Sequence, residues 1–248
     1  WTVSRDVEYS EHGPVIRQEH GTYAVRYAGM GEVGNLDQRL AMNKAGSLEE
    51  WLAAMAMQAL PSINYIYADA DGNIALLYNG QMPKRVEGFD WQEYLPGDRS
   101  DLIWREYLPF DQVPLLLYPK AGFITEANST PFRATAQEDD LKPEDFAATL
   151  GIETQMTNRA FRALELLGPD PSITAEEFRA YNYEHAYSPE SELASLIAAV
   201  LAGDAGGDED LTQDQHILRD VALRDEYDTR GAGVGWWVRG AVVGGRWG

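Results

Sequence analysis

The chain has 248 residues, 44% of them hydrophobic and 11% aromatic, long enough to bury a core and too apolar to be disordered throughout. Forty acidic residues against 20 basic ones give a formal charge of −20, which repels nucleic-acid phosphates and anionic membranes and argues against both as partners. The absence of cysteine excludes disulfides, a thiolate nucleophile and a Cys-based zinc site, and no apolar run approaches the roughly 18–20 residues of a membrane span.

The first third reads as strands. Asp6 to Ser10, Pro14 to Glu19 and Thr22 to Ala28 are short and rich in β-branched or aromatic residues, broken by His12-Gly13-Pro14 and His20-Gly21. Ser47 and Glu50 predict a capping box at the start of a helix. Leu48, Trp51, Leu52, Met55 and Ala59 repeat at helical spacing behind it. A hairpin follows, Ser62 to Ala68 and Asn73 to Asn79, turning at Asp69-Ala70-Asp71-Gly72. The stretch from Gln81 to Pro119 is irregular and rich in Pro, Trp and Tyr, and Gly122 to Glu126 reads as one more strand.

From Leu141 the pattern turns helical. Pro143 suits a first helical turn, and Ile152 to Leu167 predicts an amphipathic helix. Thr174 and Glu177 make a second capping box, and Ser188 with Pro189 opens a helix that ends before Gly203. Thr212 to Arg224 completes the helical series. Three parts result: a β-rich part over 1–140, a helical segment over 141–225, and an atypical tail over 226–248. The tail holds seven Gly, three Arg and three Trp and is expected to be a frame-shifted translation.

Chemistry-bearing motifs are sparse. There is no Gly-x-Ser-x-Gly elbow, no His-Glu-x-x-His helix and no phosphate-binding Gly loop. His12, His20, His185 and His216 are not spaced as a metal pair. Asp69-x-Asp71-Gly72-Asn73 opens like a calcium loop but lacks the closing Glu, so a hairpin turn is the expectation. The cluster Glu138-Asp139-Asp140 reads as a solvated loop, with an oxygen-ligand site as the other possibility.

An ordered set of phrases is more specific. It runs Tyr9-Ser10-x-His12-Gly13-Pro14-Val15, Tyr23-Ala24-Val25-Arg26, Met42-Asn43-Lys44-Ala45 and Leu60-Pro61-x-x-Asn64-x-x-Tyr67-Ala68-Asp69-x-Asp71-Gly72-Asn73-Ile74. It continues with Met82-Pro83-x-Arg85, Leu95-Pro96-Gly97, Leu108-Pro109-Phe110, Pro119-x-x-Gly122-Phe123-Ile124 and Ala127-Asn128-x-x-Pro131. In this order the phrases resemble the interior of the β-chain of the penicillin acylase family, which includes acyl-homoserine-lactone and cephalosporin acylases. The resemblance runs from Val3 and fades after about Asp225.

The resemblance implies an α+β fold, a partial αββα sandwich of the N-terminal-nucleophile hydrolase type with an added helical segment. It implies an amidohydrolase that splits an acyl group from an amine, using a β-chain N-terminal Ser activated by its own α-amine. That Ser is expected upstream of Trp1, so the chain is expected to be an inactive fragment that needs an α-chain and the rest of its β-chain. By the family pattern Asn128 matches an oxyanion donor and Arg159, in Thr157-Asn158-Arg159-Ala160, matches the Arg that orients it, with Arg162 a nearby competitor. The resemblance implies no required cofactor; structural calcium belongs to some full-length members, with Asp139 a loose match to one of its ligands. A periplasmic or otherwise extracytoplasmic location is implied. The other reading is a non-catalytic module that uses the aromatic Phe89 to Tyr118 loop as its contact surface.

Overall fold

The computed structural model describes residues 1–220 except 5, 61, 205 and 208. The expected frame-shifted tail at 226–248 therefore lies outside the described residues. The architecture is α+β: two three-stranded antiparallel sheets with helices between and after them.

The first sheet joins β1 (Glu8–Ser10), β2 (Gly13–Gln18) and β3 (Gly21–Ala24) in chain order. Gly13 makes its first turn possible. It sits at φ +139°, and a Cβ there would fall 2.2 Å from the Val25 carbonyl oxygen. Helices α1 (Asn35–Lys44) and α2 (Leu48–Met55) then form a pair. The Ser47 hydroxyl accepts from Glu50 N as expected, but the reciprocal half is displaced. The Glu50 carboxylate takes Gly46 N at 2.7 Å instead of the Ser47 amide. The predicted capping box is thus half present, because the extended Ser47 backbone brings the preceding amide within reach.

The second sheet joins β4 (Ile63–Ala68), β5 (Ile74–Asn79) and β6 (Leu115–Leu117). Alternation along β5 sends its residues into two cores. Ala75 and Leu77 pack with Leu48, Trp51 and Met55 of α2, and with Met82 and Val113. Leu76 packs on the opposite side with Leu116, Ala134, Ile124 and Leu141. That second cluster seats the 122–141 loop against the sheet. The hairpin turn is tied by Asp69, whose carboxylate accepts from Asp71 N, Asn73 N, Asn73 Nδ2 and Tyr67 Oη. The Asn73 side-chain donor, ahead of the others, holds the Asp69 carboxyl below its ordinary value.

Between β5 and β6 the chain holds two short 3-10 helices, Ser100–Leu102 and Phe110–Gln112, and a Pro83–Tyr107 bridge, with guanidinium groups set over indole rings around them. Arg85 lies 5.4 Å from the Trp91 ring and 5.0 Å from the Trp104 ring, and Arg26 lies 5.4 Å from Trp104.

Several predicted elements differ from the structure; the third strand, expected to Ala28, ends at Ala24, and the last helix, expected from Thr212, begins at Glu209. Gly122 to Glu126 is not a strand: Thr125 N donates to Ala134 O at 2.7 Å, but no ladder extends from that bond. The helix expected from Ile152 begins at Asn158. The Glu153 carboxylate takes the Thr154 and Gln155 amides, and Gln155 O accepts from Thr130, so these groups are spent outside a helix. Ser191, not Ser188, caps the helix Glu192–Ala202, because Ser188 is fully buried and bonded to Glu165. The remaining helices are α3 (Asn158–Leu167), α4 (Ala175–Asn182), α5 (Glu192–Ala202) and α6 (Glu209–Asp220). The Thr174–Glu177 capping box opens α4 with both reciprocal bonds present. Among the described residues no helix is long and apolar enough to cross a membrane.

Candidate functional site

The 124–135 loop is a short run of backbone on the sheet, pinned from several sides. Ala127, Ser129, Thr130, Pro131 and Phe132 are buried, whereas Asn128 between them is exposed. Asn128 stands at φ +56°, the left-handed region that Asn tolerates better than most residues. That twist lifts one polar side chain off an otherwise buried segment. Downstream, Asp140 Oδ1 accepts from Ala134 N at 2.8 Å and Thr135 N at 3.0 Å, and the Thr135 hydroxyl donates to Phe123 O. Burial raises the Asp140 carboxyl above its ordinary value, partly offset by these two amide donors.

The start of α3 meets this loop. Thr157 caps the helix by accepting from Ala160 N, and the same hydroxyl donates to Ala127 O at 3.0 Å. Two residues on, Arg159 Nη2 donates to Ala127 O at 3.2 Å and to Asn128 Oδ1 at 2.9 Å. A cation in a first helical turn opposes the helix dipole, at a cost of about 0.3–1 kcal/mol. Here the guanidinium is committed to the loop acceptors. Because Oδ1 of Asn128 is occupied by Arg159, the carboxamide has a defined orientation, and its Nδ2 donor has no acceptor among the described residues. Such an arrangement presents a fixed, neutral N–H donor to solvent.

The structure therefore brings Asn128 and Arg159 together. Arg162 is turned to other partners: its guanidinium pairs with Glu184 at 3.1 Å and with Glu165. The Glu184 hydrogen bond, first among the causes, raises its pKa above the ordinary guanidinium value. Thr157 was not singled out by its sequence pattern, since no Glu or Gln follows at the third helical position to complete a capping box. A Thr ahead of an apolar-periodic run was the one signal available.

Among the described residues none of the four histidines is hydrogen-bonded to Asn128 or Arg159. His12 and His20 sit in turns of the first sheet, and His185 and His216 are exposed. Asp139 and Asp140 are directed at backbone amides, Ala121 N for the former. Among the described residues no three His, Cys, Asp or Glu side chains are grouped to hold a metal ion.

Comparison with known proteins agrees with this framework. The penicillin amidase family model matches residues 2–241. Penicillin G acylase of Escherichia coli is 32% identical over 185 residues, covering 71% of this chain and 20% of that protein. The solved structure of a thermostable penicillin G acylase from Alcaligenes faecalis superposes with a TM-score of 0.66 at 21% identity, over 90% of this chain and 39% of that one. The chain thus spans a minor share of the length of each relative. Ordered motifs, fold and family-model match converge: the chain belongs to the penicillin amidase family.

Proposed function

We propose that these residues form the oxyanion side of an amidohydrolase that cleaves an acyl group from an amine, and that the nucleophile is supplied from outside the chain. The observation that carries this reading is the Arg159–Asn128 pair, with Oδ1 occupied at 2.9 Å and Nδ2 left to donate. In the scheme implied by family membership, a Ser at a chain N-terminus attacks the amide carbonyl carbon. Its proton passes to its own α-amine, whose pKa near 8 suits a base at neutral pH. The carbonyl oxygen becomes an oxyanion, and Asn128 Nδ2 donates to it. Collapse expels the amine, which takes up the proton and leaves an acyl ester; water then releases the acid. No cofactor takes part.

The fold reading belongs to the same proposal: the second sheet with α1 and α2 is part of an αββα sandwich that further chain segments complete. Family resemblance supports a location outside the cytoplasm and linear acyl amides of the penicillin or acyl-homoserine-lactone type as the substrate class.

The test uses the whole protein that contains these residues, with a panel of N-acyl amides and amine release as the readout. Asn128→Ala is expected to lower kcat about 10²–10³-fold, the usual effect of removing one oxyanion donor. Full turnover by Asn128→Ala, or no hydrolysis of any acyl amide by the wild type, sinks the reading. The 248-residue chain by itself is expected to be inactive.

A further inference from the structure

Arg159 and Thr157 hold the loop from its α3 side, but neither contacts the backbone of Asn128 itself. That contact is made by Glu126, which Asn64 of β4 holds in turn. Glu126 Oε1 accepts from Asn128 N at 2.6 Å. The same oxygen accepts from Asn64 Nδ2 at 3.3 Å, and Asn64 Nδ2 also donates to Ser129 O at 3.0 Å. Asn64 lies on β4, paired across the ladder with Tyr78, so its Cα is fixed by the sheet. One carboxamide thus bridges Glu126, two positions before Asn128, and Ser129, the residue after it.

We propose that Asn64 and Glu126 are positioning residues for Asn128, fixing the left-handed backbone from which its side-chain donor projects; this rests on the oxyanion reading above. Two features point to positioning more than to general stability. Asn64 Oδ1 is buried without a partner among the described residues, an unmet acceptor that an apolar side chain in its place would not have. And Glu126 places an acceptor on the Asn128 amide, two residues on, where that amide would otherwise be free to follow other backbone conformations. An extended Asn128 would carry its carboxamide away from Arg159.

The test compares Glu126→Ala, Glu126→Gln, Asn64→Leu, Asn128→Ala and the Glu126→Ala/Asn128→Ala double variant in the whole protein. Glu126→Ala and Asn64→Leu are expected to lower kcat about tenfold with KM within about twofold, the signature of a misplaced group acting in the transition state. Glu126→Gln keeps the acceptor oxygen and is expected to retain kcat within about threefold. The double variant is expected to be no slower than Asn128→Ala, since positioning has no value without the group positioned. Hydrogen exchange at the Asn128 and Ser129 amides is expected to quicken in Glu126→Ala and not in Glu126→Gln.

Unchanged kcat in Glu126→Ala and Asn64→Leu, beside a large loss in Asn128→Ala, overturns the positioning role and leaves the oxyanion reading standing. Unchanged kcat in Asn128→Ala overturns the oxyanion reading, and the positioning role with it. Additive losses in the double variant, or equal losses in Glu126→Gln and Glu126→Ala, also overturn it. Should Glu126→Ala not fold, Asn64→Leu and Glu126→Gln carry the same comparison.

Discussion

The first and second sheets share a strand count and a strand order, each three antiparallel strands in chain sequence. Their surroundings differ. In the first, β1 is exposed along its whole length and no residue of β2 or β3 is fully buried. In the second, β5 is sealed on both faces, by α2 on one side and by the 122–141 loop on the other. The hydrogen-bond ladder is the same device in both, so it cannot be what distinguishes them. The second sheet is a platform because side chains cover it, and one of those coverings is the loop that holds Asn128. Packing and candidate chemistry share a single element: Leu76 faces the loop while its neighbour Leu77 faces the helix.

The largest expected effect is therefore on β5. Leu77→Ala removes a fully buried side chain from the helix-side core and should destabilise the whole protein by about 2–5 kcal/mol, read from chemical denaturation. Leu76→Ala should cost a similar amount and additionally loosen the loop. A loss below about 1 kcal/mol for both would mean that β5 is not the centre of the fold.

How much of this was legible follows the range of each interaction. The Asp69–Asn73 turn and the Thr174–Glu177 box were readable because donor and acceptor lie within four residues of each other. Helix α1 was not. Its start has no side-chain cap, and its fully buried residue is Gln38, a polar side chain that reads as surface. Gln38 is inside because Oε1 accepts from Ala59 N and Leu60 N, bonds that only tertiary structure creates. Strand β6, Leu115–Leu117, shows no alternation and hides in a Pro-rich stretch. At the candidate site the family phrases pointed to Asn128 and Arg159 one at a time. That they touch across 31 positions, and that Arg162 does not, came from the way α3 meets the loop. Asn64 stood in a phrase without a role, since its partners lie more than 60 residues away.

A smaller effect probes the turn that joins β4 to β5. Asp69 has its carboxyl held below the ordinary value, first by the Asn73 side chain. A depressed folded-state pKa contributes stability that is present above the unfolded carboxyl value and is lost as pH falls through the folded one. The wild type should therefore lose stability in acid relative to Asp69→Asn, which keeps one acceptor oxygen and has nothing to titrate there. The difference in denaturation midpoint between the two proteins should shrink from about pH 6 to about pH 3. A constant difference across that range would show that the turn is held without the charge.

The smallest expected effect lies in the first sheet, and it decides whether the contrast between the sheets is real. Ile16, in the middle of β2 and paired with Tyr23, is 47% exposed. Ile16→Thr preserves the β-branch that suits an extended backbone and removes only apolar surface already in contact with water, so it should change stability by no more than about 0.5 kcal/mol. The neighbouring Arg17–Glu8 ion pair at 2.7 Å is likewise exposed on both sides, and such pairs contribute about 0–1 kcal/mol. If the whole protein instead loses several kcal/mol on Ile16→Thr, then β2 is covered there by a part of the protein outside these residues. The two sheets would then differ in which part of the protein covers them and not in whether they are covered.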